Sequence, residues 1–133
     1  MDKTLRILIA DDQQRARRSL KALLATRFQL VGTCEAANGI EAVQSMEECK
    51  PNIVVMDARM PEMDGIVATR IIKTRSAHTP VIVLSMYLEY QGVALAAGAD
   101  AFISKGDPPE RLLEVLAKAS STIESNKPNP SEV

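Results

Sequence analysis

The sequence LRILIADD, residues 5–12, is an almost wholly apolar run that ends in two aspartates. Such a run is typical of a buried strand in a parallel sheet. Strand-like and helix-like segments then alternate along the chain, which predicts successive βαβ units. The expected strands are residues 5–10, 30–35, 53–56, 81–84 and 101–104. We therefore predict an α/β fold: a doubly wound three-layer sandwich of a five-stranded parallel sheet with five helices on its two faces.

Apolar spacing and capping signals place the helices between these strands. In the third helix, Val67, Ile71 and Ile72 are the expected core residues. The fifth helix is expected to start with Asp107 as its N-cap and Pro108 at its first position. The Ser-, Asn- and Pro-rich stretch 125–133 has no periodicity and is expected to be a linker or tail. The predicted domain is therefore residues 1–124.

Four of the predicted strands end in a charged or hydroxyl side chain, and we expect these side chains to form one site. They are Asp11, Asp12, Asp57, Ser85 and Lys105. In an open parallel sheet, ligands bind at the carboxyl ends of the strands. Three neighbouring carboxylates repel one another, and a divalent cation such as Mg²⁺ relieves that repulsion. An amine and a hydroxyl can neutralise phosphoryl oxygens, and a carboxylate can act as the nucleophile.

Each of these residues also has an ordinary structural interpretation. Asp11 and Asp12 could cap the first helix, and Lys105 could be a solvated lysine. The basic face of the first helix, which includes Arg17, is typical of a helix face turned to water. His78 is expected in a loop, without a ligand role. The prediction of a site depends on all four strand ends lying at one edge of the sheet.

Composition excludes several classes of function. Of the 133 residues, 46% are hydrophobic and 25% are charged, which is typical of a soluble globular domain. The formal net charge of −1 argues against direct binding of nucleic acid. Cys34, Cys49 and the single histidine make a zinc site improbable, and we expect both cysteines to be reduced. No run approaches the roughly 20 apolar residues of a membrane span, so we expect a cytoplasmic protein.

From residue 5 to about residue 123, the sequence strongly resembles the receiver domain of bacterial two-component response regulators. The matching features are the aspartate pair at 11–12, Asp57, the loop sequence MPEMDG at 60–65, Ser85 and Lys105. The resemblance implies a flavodoxin-like sheet with strand order 2-1-3-4-5.

The resemblance also implies a role for each site residue. Asp57 would accept a phosphoryl group from a sensor histidine kinase, and Lys105 and Ser85 would contact the phosphoryl oxygens. Asp12, Asp57 and the backbone carbonyl of Arg59 would bind Mg²⁺, with Asp11 supporting the metal, partly through water.

Residues around the fourth and fifth strands are most similar to the NarL/LuxR-type subfamily, in which a helix-turn-helix follows the receiver. Ser85, Tyr87 and Phe102 would form the switch that responds to phosphorylation. Gly106 follows Lys105 where many members have proline after a cis peptide. The resemblance therefore does not predict the geometry of this loop.

The leading hypothesis is a phosphorylation-controlled switch that promotes its own phosphorylation and dephosphorylation but is not otherwise an enzyme. It would control a DNA-binding output domain absent from this chain. The alternatives are a complete single-domain regulator that acts by protein–protein contact, a Mg²⁺-dependent phosphatase with an aspartyl-phosphate nucleophile, and a module that has lost phosphorylation. We also expect a phosphorylation-dependent homodimer, because Leu113 widens the apolar face of the fifth helix. No membrane partner is expected.

Overall fold

The structure, a computed structural model, describes residues 3–125, with side-chain environments for residues 4–121. Strands and helices alternate through this part of the chain, and a short 3₁₀ turn precedes the fourth α-helix. The elements are β1 (Lys3–Ala10), α1 (Gln14–Ala25), β2 (Phe28–Ala36), α2 (Gly39–Cys49), β3 (Ile53–Asp57), α3 (Gly65–Arg75), β4 (Val81–Ser85), the 3₁₀ turn (Leu88–Tyr90), α4 (Gln91–Ala96), β5 (Ala101–Ser104) and α5 (Pro109–Ser125). Each predicted strand is present within two residues of its expected ends.

The five strands form one parallel sheet in the order β2-β1-β3-β4-β5. This confirms the predicted fold class and strand order. The order reverses between β1 and β3, which are hydrogen-bonded neighbours with Ala10 opposite Met56. In a doubly wound sheet such a reversal opens a crevice at the carboxyl ends of the strands. The predicted site residues therefore lie at the edge of the sheet where this fold binds ligands.

Each face of the sheet has its own hydrophobic core. On one face, α1 and α5 cover the sheet through Leu24, Leu112 and Leu116. On the other face, α2, α3 and α4 pack against a second cluster that includes Val54 and Phe102. Because β3 is covered on both faces, its residues from Ile53 to Met56 are fully buried.

The predicted core of α3 was partly wrong. Ile72 is buried, but Val67 is 40% exposed, and the inward positions are instead Gly65, Ala68 and Thr69. These residues follow the spacing i, i+3, i+4 and i+7 of one helix face. Gly65, the first residue of the helix, lies directly against the end of β3, and that contact cannot be read from hydrophobic periodicity.

The predicted start of α5 was wrong by one residue. The helix begins at Pro109, and the carboxylate of Asp107 accepts a hydrogen bond from the backbone N–H of Ser104 at 3.2 Å. Asp107 therefore closes the turn after β5 instead of capping the helix. At the other end, α5 continues to Ser125, and residues 126–133 of the predicted tail lie outside the described residues.

The prediction of reduced cysteines was also wrong. Cys34 in β2 and Cys49, the last residue of α2, form a disulfide, with their Cα atoms 6.5 Å apart. The two residues are 15 positions apart in sequence, and α2 returns along β2 so that its end meets the strand. The disulfide therefore joins the second helix directly to the edge strand of the sheet.

Two further features concern the described residues taken together. Through the described part, every peptide bond is trans, including the one between Lys105 and Gly106. Among the helices within residues 3–125, none is both long enough and apolar enough to span a bilayer.

Candidate functional site

Three carboxylates meet at the carboxyl edge of the sheet. Asp11 and Asp12 follow β1, Asp57 ends β3, and one carboxylate oxygen from each lies within 4.8 Å of the others. Asp11 is buried, Asp57 is half-buried and Asp12 is exposed. The cluster is therefore open to solvent on the side of Asp12, where a cleft of about 500 Å³ also reaches Arg59 and Asp64.

Asp11 is fixed in place by its backbone and by its side chain. Its N–H donates to the carbonyl of Ala36 at 2.9 Å, and its Oδ1 accepts from the N–H of Gln13 at 2.9 Å. Its Oδ2 accepts from Lys105 Nζ at 3.0 Å. The residue at the N-cap position of α1 is Gln13, so the Asp11 carboxylate shapes the loop before the helix and is not its N-cap.

Lys105 connects two of the three carboxylates. Its Nζ lies 3.0 Å from Asp11 and 3.5 Å from Asp57, although 94 positions separate Lys105 from Asp11 in sequence. Burial opposes its charge, but the hydrogen bond to Asp11 and the charges of Asp57 and Asp11 outweigh this effect and raise the pKa of the ammonium group. The interpretation of Lys105 as a merely solvated lysine does not fit this geometry.

Asp57 titrates differently from an exposed aspartate. Burial raises the pKa of its carboxyl above the ordinary value, and the attraction of Lys105 offsets only part of that rise. The negative charge of Asp11 raises the pKa further, whereas a hydrogen bond from the backbone of Arg59 lowers it. The ion pair with Lys105 does not fully offset the effect of burial on the Asp57 pKa, because Lys105 is shared between two carboxylates and lies closer to Asp11. A bound cation or proton would therefore relieve an electrostatic cost at Asp57.

The loop between β3 and α3 is closed tightly beside Asp57. The N–H of Ala58 donates to the carbonyl of Leu84, and the N–H of Gly65 donates to the carbonyl of Ala58, both at 2.9 Å. The Asp64 carboxylate caps α3 by accepting from the N–H of Val67 at 2.9 Å. These bonds hold both ends of the loop that carries Arg59.

The predicted switch residues fall into two environments. Ser85 is 1% exposed, and its Oγ accepts a hydrogen bond from the N–H of Tyr87 at 3.0 Å. Phe102 is 8% exposed and belongs to the core beneath α4. The ring of Tyr87 is 48% exposed, and the guanidinium of Arg59 lies 5.5 Å from its centroid. Tyr87 and Arg59 thus form a cation–π contact at the rim of the site.

The structure brings together all but one of the predicted site residues. Phe102 is the exception, because its side chain is buried within the core and not at the carboxylates. His78 is exposed in the turn between α3 and β4, as expected. One residue was missed: Arg17 of α1 donates from Nη1 to the backbone carbonyl of Asp11 at 2.6 Å. Its only sequence signal was its place in a basic run, which predicted exposure.

The donor set fits a hard divalent cation. Carboxylate oxygens are the ligands of Mg²⁺, Mn²⁺ and Ca²⁺, whereas zinc and copper sites favour imidazole or thiolate. Asp11, Asp12 and Asp57 supply oxygen donors alone. The acidic cluster is thus chemically suited to the cation predicted from the sequence.

Comparison with known proteins gives one consistent result. The sequence profile of the response regulator receiver domain matches residues 7–117. The transcriptional regulatory protein YhcZ of Bacillus subtilis is 41% identical over 112 residues, which cover 83% of this chain and 52% of YhcZ. The chemotaxis protein CheY of Thermotoga maritima is 41% identical over 118 residues, covering 86% of this chain and 97% of CheY.

Among solved structures, a LuxR-family two-component response regulator from Aurantimonas superposes with a TM-score of 0.82 at 30% identity. The superposition covers 90% of this chain and 87% of that one. This chain spans about half the length of the first curated relative that it matches. Both the sequence and the structural similarity therefore extend over almost the whole described fold.

Proposed function

This chain belongs to the response regulator receiver domain family, a family of phosphorylation-controlled switches in two-component signalling, and from that premise we propose that Asp57 is its phosphoacceptor. One observation carries the proposal: the half-buried Asp57 carboxylate lies 3.5 Å from Lys105, which also pairs with Asp11. Asp57 thus has a nucleophilic oxygen beside a fixed cation. Asp12, in contrast, is exposed, and both carboxylate oxygens of Asp11 already accept a hydrogen bond.

In the proposed reaction, an Asp57 carboxylate oxygen forms a bond to phosphorus while the bond between phosphorus and the imidazole nitrogen of a kinase phosphohistidine breaks. The electron pair of that bond leaves with the imidazole. Lys105 and the hydroxyl of Ser85 neutralise and orient the phosphoryl oxygens. Because its Oγ already accepts from Tyr87 N–H, Ser85 can turn its hydroxyl proton toward a phosphoryl oxygen.

The cation in this proposal is Mg²⁺. Asp12, Asp57 and the backbone carbonyl of Arg59 would bind it, and Asp11 would support it while paired with Lys105. When bound, the metal supplies positive charge that offsets repulsion among the carboxylates and the incoming phosphoryl group. In this proposal the domain turns over no other substrate and promotes only changes in its own phosphorylation.

Output would come from the surface next to Ser85. Met86, Tyr87 and Leu88 follow it directly and are all exposed, and Val93 lies on the neighbouring helix. A change in the contacts of Ser85 and Lys105 on phosphorylation would move this apolar surface.

The sequence argument for dimerisation through Leu113 loses support, because that side chain packs against the core between the sheet and α5. We retain the homodimer as a proposal, with α4 as its more exposed apolar surface.

The whole protein is proposed to be a transcription regulator of the NarL/LuxR type, with a DNA-binding domain outside this chain. The similarity to YhcZ, of which the matched region forms 52%, supports this proposal. The alternative is a single-domain regulator, supported by the match to 97% of CheY. The length of the natural gene distinguishes these two proposals.

Sedimentation of the free and beryllofluoride-bound domain would test dimerisation, and a monomer in both states would contradict it.

The phosphoacceptor is tested by intact mass after treatment with acetyl phosphate and Mg²⁺. We expect one phosphoryl adduct that is absent from Asp57→Asn and absent without metal. Glu47→Gln, which removes an exposed carboxylate on α2, serves as the control and should retain the adduct. An adduct mapped to Ser85 or His78 would contradict the assignment, and continuous release of inorganic phosphate from unrelated phosphoesters would favour the phosphatase alternative.

A further inference from the structure

Arg17 lies in the basic run of α1, yet its side chain forms hydrogen bonds at the ends of two neighbouring strands. Its Nη1 donates to the backbone carbonyl of Asp11 at 2.6 Å, and its Nε donates to Glu35 Oε1 at 2.8 Å. Its side chain is only 14% exposed. The adjacent Arg18 and nearby Arg15 are exposed. The two hydrogen bonds therefore single out Arg17 from the rest of the basic face.

These bonds connect the ends of β1 and β2. Glu35 lies in β2 opposite Ile9 of β1, two positions before the first aspartate. The guanidinium is planar, so anchoring Nε on Glu35 also fixes the direction in which Nη1 points. Charge-assisted hydrogen bonds of this length are stronger than neutral ones. Glu35 thus holds Arg17, and Arg17 holds the carbonyl of Asp11.

The carbonyl of Asp11 belongs to the peptide that leads into Asp12. Since a peptide unit is planar, fixing its oxygen fixes the plane from which the Cα of Asp12 continues. Asp11 has anchors of its own through Ala36, Gln13 and Lys105. The exposed Asp12 therefore depends more on the peptide that precedes it.

We propose that Arg17, held by Glu35, is a positioning residue that orients the Asp11–Asp12 peptide and so places the Asp12 carboxylate for the divalent cation. This inference rests on the proposed function, because it assumes that the three carboxylates bind that cation. Groups that orient metal ligands commonly change metal affinity 10- to 100-fold when removed. At the site, Arg17 contacts the backbone oxygen of Asp11 and not a carboxylate oxygen of the cluster, so we expect a change of about 10-fold, at the lower end of that range.

The chain offers a matched control in Lys21. Lys21 lies on the same helix face and approaches Glu35 at 3.6 Å, and its side chain is 46% exposed. Arg17→Gln and Lys21→Gln each remove one positive charge and one partner of Glu35. Of these two residues, Arg17 is the one that binds the Asp11 carbonyl. A difference between the two variants therefore reports that hydrogen bond and not the general charge of the helix.

The experiment titrates Mg²⁺ into ¹⁵N-labelled wild-type protein and both variants and follows the backbone amide of Asp12. Arg17→Gln should shift the Asp12 amide signal before metal is added and raise the half-saturating Mg²⁺ concentration about 10-fold. Lys21→Gln should match the wild type in both measurements. Saturating Mg²⁺ should restore the maximal rate of phosphorylation by acetyl phosphate in Arg17→Gln, because the nucleophile and Lys105 are unchanged.

Two outcomes would overturn the inference. One is an Arg17→Gln variant with the Mg²⁺ affinity of Lys21→Gln. If Arg17→Gln does not fold, Glu35→Ala is titrated in its place, because it leaves Arg17 present but removes its anchor. Unchanged Mg²⁺ affinity in Glu35→Ala would be the second outcome that contradicts the proposal. Failure of the proposed function gives a different result, since the wild type itself would then bind no Mg²⁺ or carry no phosphoryl group on Asp57.

Discussion

Gly65 lies so close to Asp57 that a β-carbon added at Gly65 would overlap the backbone carbonyl oxygen of Asp57. The first residue of α3 therefore packs directly against the last residue of β3. A similar contact occurs nearby, where a β-carbon at Gly39 would overlap the carbonyl of Met63. The loop that carries Arg59 is thus enclosed by two helix N-termini that only glycine can bring this close.

We predict that Gly65→Ala displaces the end of β3 and slows phosphorylation of Asp57. Overpacking of this kind typically costs about 1–3 kcal/mol of folding free energy. The matched control is Gly92→Ala in α4, where an added β-carbon would have no neighbour within 4 Å. That control should gain about 0.5–1 kcal/mol, because alanine is the better helix former. Urea unfolding and the rate of acetyl phosphate labelling measure both effects, and equal stability of the two variants would contradict the close contact.

We predict that Asp57→Asn stabilises the unphosphorylated protein at neutral pH. The pKa of Asp57 is raised above its ordinary value of 3.8 in the folded protein, chiefly by burial. The folded state therefore binds this proton more tightly than the unfolded state, and the ionised carboxylate costs stability once the pH exceeds the folded pKa. Asparagine removes that cost, so the variant should have the higher melting temperature at pH 7.

The pH dependence of the stability difference serves as the control for this prediction. The difference between wild type and Asp57→Asn should shrink as the pH falls and disappear below about 3.8, where both chains are neutral at this position. Added Mg²⁺ should also reduce the difference, because it stabilises the wild type by binding its folded state. A variant that is less stable than wild type at pH 7 would show that Asp57 is better paired than its burial indicates.

We predict that Lys105→Met destabilises the protein and slows its phosphorylation. The substitution leaves the buried Oδ2 of Asp11 without its charged donor, and such hydrogen bonds contribute about 1.5–3 kcal/mol. Lys21→Met is the control, since an exposed ion pair at 3.6 Å contributes about 0–1 kcal/mol. Thermal unfolding at pH 7 distinguishes the two. If both variants lost the same stability, Lys105 would be no more than a surface lysine.

We predict that reduction of the Cys34–Cys49 disulfide lowers the free energy of unfolding by about 3 kcal/mol, the loop-entropy value for a bridge that closes about 15 residues. Urea unfolding with and without a phosphine reductant measures this loss. The double variant Cys34→Ala, Cys49→Ala should not respond to the reductant. Native protein that takes up two alkylating groups without prior reduction would show that the bridge does not form in solution.

Local patterns were enough to predict the architecture and the gathering of the carboxylates. Buried parallel strands are continuous apolar runs, and the polar residue that ends each run must lie at the carboxyl edge of the sheet. The run that precedes Asp11 and Asp12 and the run that precedes Asp57 thus predicted one acidic cluster. The receiver motif added the strand order, which the structure confirmed.

Only the tertiary structure decided which partners those residues have. The contact of Lys105 with Asp11 spans 94 positions, and the bridge between Cys34 and Cys49 depends on how α2 returns along β2. The basic run of α1 predicted exposure for Arg17, yet the approach of Glu35 and the Asp11 carbonyl draws it inward. Hydrophobic periodicity reports the environment of a residue along one element. Contacts between elements depend on the distances that the packed sheet and helices impose, and no local pattern encodes those distances.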